Sequence, residues 1–360
     1  MLFIYTVYMN KNNSTISFMF WNVLADGYIK FYDKKYTNIN DTYDYEKFMG
    51  PFVINPELRQ QRILSHITLT NADMIGLIEI QKEMYDFLKE NLNDTYHFTD
   101  IYQDEIDEEK KKFNFPLEGK CVLYKKALNF NSININLIDT IYGRKSIDFS
   151  FKYLNKRFNF IVHHNSPIYM YSVDENGEYL NPEYNKYNDM YYDNPDHNQI
   201  LEIQPGVFKK FIRGGAINSL QMLTDYINKN IPNGNTLVLV GDFNSQPSYP
   251  KIEKSHIPIY IEKIKFNMKD LHDYKLDKTL LSPKHDGRRL DYIFYNNNNL
   301  DIKYCKKIFS PIYYIPYFKK RNEILNNKIN IQEIRKQNYY YQLMHYGSDH
   351  QFLYGCFYIK

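Results

Sequence analysis

Cysteine is scarce in this chain: three in 360 residues, at Cys121, Cys305 and Cys356. They form no Cys-x-x-Cys pair and no zinc-ligand spacing, and their odd number argues against a disulfide framework. The expected compartment is therefore a reducing one, cytoplasmic or nuclear. Long apolar runs are missing as well, since no window approaches the roughly 18 residues of a membrane span. The apolar stretch Leu2–Met9 lacks a basic segment before it and runs into Lys11 and a series of Asn and Ser, so no secretory leader is expected. Glycine, with 14 residues, is too sparse for glycine-rich phosphate loops to stand out. No GxxxxGK, GxGxxG or HExxH pattern is present. Charge of one sign is also lacking: 45 Lys+Arg against 42 Asp+Glu leave +3, which does not by itself select a nucleic-acid partner.

What is abundant is tyrosine (36) and phenylalanine (24), alongside Asn, Ile and Lys. A+T-rich codons would produce this usage, so the aromatic excess alone does not mark a binding surface. At 43% hydrophobic and 24% charged, the chain is globular and long enough for a sizeable core. It shows no internal repeat and no linker. We expect one domain over residues 15–360, with irregular insertions at about 165–212 and 303–346.

Thr15–Trp21 alternates, becomes wholly apolar and stops at Asn22, as a strand entering a loop would. Asn55-Pro56-Glu57 reads as an N-cap, a first-turn proline and a first-turn acid. The helix that follows, with Leu64 and Ile67 on its buried face, should end near Asn71. Asp73–Ile78 is apolar enough for a strand covered on both faces and stops at Glu79. Met84, Leu88 and Leu92 place a second helix, and Ile217, Leu220, Leu223 and Ile227 a third. Cys121–Tyr124, Ile133–Ile138, Ser146–Tyr153 and Phe158–His164 read as an antiparallel meander. Leu237–Val240, Leu290–Tyr295 and Gln351–Tyr358 are further strands. The mixture predicts an α/β fold of two sheets.

Polar residues recur where the apolar runs begin or end: Asn22, Glu79, Asp242 with Asn244, Asp291, and Asp349 with His350. Any one of these suits an ordinary turn; together they suit a magnesium site. Mg2+ takes hard oxygen ligands, one or two of them carboxylates, and fills its shell with water and phosphate. Glu79 is the obvious ligand. Asp242 would align or deprotonate a water, and Asn244, two residues on and on the same face of an extended chain, would hold Asp242 or the phosphoryl oxygen. His350 would bind the phosphate and stabilise charge, with Asp291 fixing its tautomer.

The motifs WNVLAD (21–26), ADMIGLIE (72–79), GDFNSQP (241–247), RLDYIFY (289–295) and GSDH (347–350) occur in that order. In this the chain resembles the endonuclease/exonuclease/phosphatase family, over nearly its whole length. Asn22-Val23-Leu24-Ala25-Asp26, the helix of Arg59 and Arg62, and GKCVLYKK (119–126) resemble its subgroup of carbon-catabolite-repressor-type deadenylases, nocturnin and Angel proteins. The resemblance implies a four-layer α/β/β/α sandwich of two mixed sheets. It implies metal ligation by Glu79 with Asn22 beside it, Asp349 in or next to the metal shell, and catalysis by Asp242, Asn244 and an Asp291–His350 pair. The phosphate-binding histidine of the family falls on His164, or on His163 in another register. The implied cofactor is Mg2+ or Mn2+, and the implied partner an RNA or nucleotide substrate rather than a membrane. A 3′-5′ exoribonuclease of the deadenylase type is the leading expectation. A dinucleotide phosphatase, another nuclease, or an inactive RNA- or protein-binding scaffold are the rivals. Two positions depart from the family pattern: Ile78 stands where glutamine precedes the metal glutamate, and Asn218 where arginine is expected, while Gln221 is retained on that helix.

Two further stretches carry weaker signals. Residues 303–336 interleave Lys303, Lys306, Arg321 and other cations with Tyr313, Tyr314 and Tyr317, which suits either a single-strand platform or a solvated loop and helix. The histidines His66, His97, His197, His272 and His285 have no partner visible in the sequence and read as structural or surface residues.

Overall fold

The computed structural model describes residues 14–25, 55–104, 117–140, 144–166, 169–176, 178, 180, 198–212, 214–246, 256–273, 279–282, 285–306, 348 and 350–360. Two sheets face each other. The first contains β1 (Thr15–Asn22), β2 (Met74–Gln81), β3 (Tyr96–Phe98), β4 (Tyr102–Gln103), β5 (Glu118–Lys125), β17 (Leu300–Lys306) and β18 (Leu353–Ile359). Its order is β17-β18-β1-β2-β5-β3, with β4 also on β5; β1 and β2 are parallel. The second contains β6 (Asn131–Asp139), β7 (Lys145–Tyr153), β8 (Lys156–His164), β12 (Thr236–Asp242), β13 (Met268–Asp270) and β16 (Asp291–Asn296), in the order β13-β16-β12-β8-β7-β6. Here β8 and β12 are the parallel pair.

Alternation along the strands builds three apolar layers. Phe18 and Phe20 point between the sheets, where they meet Phe149, Phe160, Val162, Val240 and Ile293. Met19 and Trp21 point outward and pack with Ile75, Leu77 and two helices, α1 (Pro56–Thr70) and α2 (Lys82–Leu92). On the far side, Leu237, Leu239 and Phe294 pack with α3 (Gly214–Asn230) and α4 (His256–Glu262). The result is the expected α/β/β/α sandwich. Its parallel strands are covered on both faces, which is why they read as unbroken apolar runs. Gly76 lets the sheets approach: a Cβ there would lie 2.7 Å from a Val162 methyl. The α1 cap follows its sequence, with the Asn55 side chain accepting from the Leu58 N–H at 2.9 Å and Asn71 closing the helix at a φ of 49°.

The structure departs from the sequence reading in several places. The four-stranded meander is only β6-β7-β8; β5 pairs with β2 in the other sheet. Cys121 and Leu123 face the α1–α2 layer while Val122 faces the inter-sheet core, so β5 is buried on both sides. A 3-10 turn over Lys126–Leu128, ended by Asn129 at a φ of 47°, then leads the chain across to β6. The insertion at 165–212 is not irregular throughout: β9 (Tyr169–Val173), β10 (Asn198–Gln204) and β11 (Val207–Ile212) form an antiparallel sheet ordered β10-β11-β9. Pro205-Gly206, with Gly206 at a φ of 72°, makes its tight turn. The hairpin β14 (Leu280–Ser282)–β15 (His285–Arg288), with β13 and α4, went unread because such short segments carry little periodicity. Of the 303–346 segment, the residues to Lys306 complete β17; 307–347 lie outside the described residues. Among the described residues no helix is long and apolar enough to cross a membrane.

Candidate active site between the two sheets

Topology brings the strand ends together before any side chain is considered. Asn22 ends β1 beside Ile78 of β2, and Asp242 ends β12 between His164 at the end of β8 and Asp291 at the start of β16. β18 runs antiparallel to β1, so His350 just ahead of it arrives at the same edge. Gly241 lets β12 press against β8, since a Cβ there would meet the His163 carbonyl oxygen at 2.3 Å.

Glu79 is not at a strand end, as the sequence suggested, but in a bulge: the pairing with β5 slips between Ile78 and Ile80, and its φ is 54°. A bulge re-aims one side chain without ending the strand, and for a non-glycine residue this conformation costs about 1–2 kcal/mol. The re-aimed carboxylate meets Asn22. The Asn22 Nδ2 donates to Glu79 Oε1 at 2.8 Å and to Asp242 Oδ2 at 3.2 Å, while its Oδ1 accepts the Leu24 N–H at 3.0 Å. With its Oδ1 engaged in this way, Asn22 ties two carboxylates together as a donor. Its loop is held by the buried Arg59, which donates to the Val23 and Leu24 carbonyls at 2.9 and 2.5 Å.

On the other side, His350 Nδ1 lies 2.8 Å from Asp291 Oδ2. A carboxylate only accepts, so the Nδ1 carries the proton and Nε2 faces the cluster, 3.4 Å from Asn22 Nδ2 and 3.8 Å from Asp242 Oδ2. Trp21 Nε1 donates to the His350 carbonyl and the His350 N–H donates to Ser348 Oγ, both at 3.0 Å; Ser348 Oγ donates in turn to the Asn22 carbonyl at 2.7 Å. Asp242 is nearly inaccessible, and burial pushes its carboxyl up to about 7. The charge of Asp291 raises it further, while His350 and hydrogen bonds from Asn244 and Asn22 oppose the rise.

Asn244 reaches Asp242 by a different route from the one its spacing predicted. The chain leaves the strand after Asp242, and Asn244, at a φ of 50°, donates its backbone N–H to Asp242 Oδ1 at 2.7 Å. Its side-chain amide donates to the Asn165 carbonyl at 2.8 Å, which also accepts Arg144 Nη1 at 2.9 Å. Asn165 further donates its side chain to the Phe243 carbonyl at 3.1 Å. Asn165, Arg144, Arg59 and Ser348 are the supports that the site reading did not single out. Only the placement of Asn165 next to the two histidines hinted at its role.

Of those histidines, His164 lies in the cluster, its Nε2 3.7 Å from Glu79 Oε1. His163 points to the opposite face, 2.7 Å from Ser146 Oγ and edge-on to Phe243, and burial lowers its pKa to about 3. Asp349 lies outside the described residues. Two groups have ligand atoms within 4.8 Å of one another: Glu79, His164 and Asp242; and Asp242, Asp291 and His350. A divalent cation fits the first group best. It has two carboxylates held a single amide apart, one of them raised in pKa by burial, and a cation would relieve that charge.

Two facing sheets thus bring carboxylates and histidines together at a shared edge. The chain belongs to the endonuclease/exonuclease/phosphatase family, whose profile matches residues 19–350. It is 24% identical over 330 residues to the probable CCR4-Not complex 3'-5'-exoribonuclease subunit Ccr4 of Vairimorpha ceranae (strain BRL01), an alignment covering 86% of this chain. The chain spans about 60% of that relative's length. The human Nocturnin catalytic domain with bound sulfate superposes with a TM-score of 0.54 at 13% identity, over 96% of this chain and 95% of that one. ANGEL2, a 2',3'-cyclic phosphatase, does so with a TM-score of 0.57 at 13% identity, over 96% of each chain. At such identities the likeness is one of fold.

Proposed function

We propose that this protein is a Mg2+-dependent 3′-5′ exoribonuclease of the deadenylase type. The observation that carries the reading is the cluster in which Asn22 joins Glu79 to Asp242 while Asp291 orients His350 beside them. Sequence similarity to a Ccr4 subunit supports the choice of RNA. In this reading water attacks the last phosphodiester, the bond from phosphorus to the preceding 3′ oxygen breaks, and a nucleoside 5′-monophosphate leaves. Asp242, held by hydrogen bonds from Asn22 and Asn244, aligns the water and takes its proton. His350 donates hydrogen-bonding capacity from Nε2 to the phosphoryl group in its protonated form, with Asp291 holding the ring. Asn244 and His164 line the phosphate position, and Glu79 with Asp242 would hold the cation. When bound, that cation would supply positive charge to the phosphoryl oxygens.

The test uses a 5′-labelled RNA with a short non-A body and a 3′ oligo(A) tail, incubated with Mg2+, with EDTA, and with the Glu79→Ala protein. Shortening from the 3′ end that stalls at the body, only with Mg2+ and Glu79, is the expected result. Cleavage without A preference would remove the deadenylase assignment and keep the nuclease. No cleavage would overturn the RNA substrate and move the reading to phosphate removal from a dinucleotide.

A further inference from the structure

One buried threonine joins the two chain segments that carry Asp291 and His350. Thr279 is 1% exposed, and its Oγ1 accepts the backbone N–H of Leu290 at 2.9 Å and that of Asp291 at 3.0 Å. Its carbonyl accepts the N–H of Gln351, the residue after His350, at 2.7 Å. These three bonds matter because of where the two segments belong. Asp291 opens β16 in the second sheet, and His350 leads into β18 in the first. No sheet ladder joins those strands, so ladder hydrogen bonds do not set the 2.8 Å spacing of the Asp291–His350 pair.

The local chain shows why a threonine does this. Thr279 stands at the base of the β14–β15 hairpin, whose return strand runs directly into Arg289-Leu290-Asp291. The Arg289 guanidinium is anchored to Asp270 by two contacts of 2.7 Å and lies over the Tyr292 ring. The turn before Asp291 is thus clamped from below by an ion pair and from above by a hydroxyl oxygen whose two lone pairs take two successive N–H groups. The carbonyl of the same residue then reaches across to the His350 segment.

We propose that Thr279 is a positioning residue for the Asp291–His350 pair, holding carboxylate and imidazole in register across the gap between the two sheets. The assignment rests on the catalytic reading of that pair given above. Thr279 is buried beneath the pair, so its loss should act on kcat and leave KM in place. Valine keeps the shape of threonine and removes the acceptor, leaving two buried N–H groups unsatisfied. Displacing a reacting group by as little as 1 Å costs up to about 100-fold in rate.

The experiment compares wild type with Thr279→Val, Thr279→Ser, His350→Ala and the Thr279→Val/His350→Ala double variant. Steady-state kinetics are recorded on the tailed RNA, and the imidazole N–H resonance of His350 by NMR. The expected result is a fall in kcat of about 10- to 100-fold in Thr279→Val with KM unchanged. Serine should restore the rate, and the valine effect should vanish in the His350→Ala background. The His350 resonance should shift in Thr279→Val and return in Thr279→Ser. An unchanged kcat and resonance, or a valine effect that simply adds to that of His350→Ala, overturns the proposal. If the valine protein does not fold, Thr279→Ala takes its place under the same criteria. If wild type turns over no phosphate ester, the proposed function has failed, and the NMR comparison still decides whether Thr279 sets the pair.

Discussion

The two halves of the site share Asp242 and are otherwise built in opposite ways. In the Asp291–His350 half the partners touch at 2.8 Å, and Trp21, Ser348 and Thr279 fix the backbone on both sides. In the Glu79–His164 half the nearest approach is 3.7 Å, Glu79 sits in a strained bulge, and one amide separates two carboxylates. In the first half a carboxylate oxygen of Asp291 answers the imidazole directly, while its Oδ1 is buried without a hydrogen bond among the described residues. The second gathers two carboxylates around one neutral amide. A directly hydrogen-bonded carboxylate–imidazole pair suits an oriented acid–base group, and a cluster of oxygen donors suits a cation.

The sharpest way to break this contrast is to remove one member of each half. Glu79→Ala is expected to abolish turnover at any Mg2+ concentration while circular dichroism stays native, because that carboxylate faces the cluster rather than the core. His350→Ala should lower kcat by about 10²–10⁴-fold with cation binding intact, measured by calorimetry with Mg2+ or Mn2+. Equal loss of metal affinity in both variants would erase the distinction between the halves.

Thermal stability against pH gives a smaller but cleaner signature. Asp242 has a carboxyl pushed up to about 7 by burial, against about 4 in an unfolded chain. It takes up a proton on folding between those values. Its favourable contribution is therefore complete below about pH 4 and is lost as the pH rises through 7. Metal-free protein should lose this contribution between about pH 4 and 7, Asp242→Asn should flatten that part of the curve, and added Mg2+ should raise the melting temperature more at pH 8 than at pH 5. Absence of any difference between Asp242→Asn and wild type in that window would contradict the buried-charge account.

His163 provides the opposite slope from outside the cluster. Its pKa, lowered to about 3 by burial, makes the neutral ring the folded form. The stability that goes with it is present above about pH 6.5 and is lost as the pH falls toward 3. His163→Gln should shallow the acid side of the melting curve and change kcat little. A collapse of kcat would place His163 in the site after all. The smallest expected effect is that of Arg59→Met, which strips two buried carbonyls of a donor at a cost of about 1–3 kcal/mol. It should loosen Asn22 enough to weaken cation binding before it affects the His350 half.

Strand burial and local spacing govern how much of this molecule is legible in its chain. Asn22 and Asp242 were legible because they end strands buried on both faces, and Asp291 and His350 because they stand just at or before the apolar runs of β16 and β18, so a polar residue at either end of such a run marks an edge. The Asn55 cap and the stripes of α1, α2 and α3 were legible because they depend on neighbours within a few residues. The sheet membership of β5 was not, since it depends on whether Cys121 and Leu123 find helices or strands to pack against. The bulge at Glu79 was hidden for a related reason: it exists only as a mismatch between two strands. Supports such as Asn165 and Thr279 look like any polar loop residue until pairing buries them. The β9-β10-β11 sheet had one visible cue, Pro205-Gly206 between alternating residues, which the surrounding Tyr and Asn obscured.

The place of β18 in the first sheet has a consequence for how this protein comes into being. Because β18 lies between β1 and β17, β1 has one edge bare until residue 359 has been made, and Asn22 and His350 lie 328 positions apart in the chain. Contacts of such range form late and slowly. A nascent chain therefore carries Glu79 and Asp242 for much of its synthesis without the histidine that would complete them. A chain interrupted anywhere before residue 350 cannot assemble the Asp291–His350 pair, so the two sides of the site meet only after that histidine has been made.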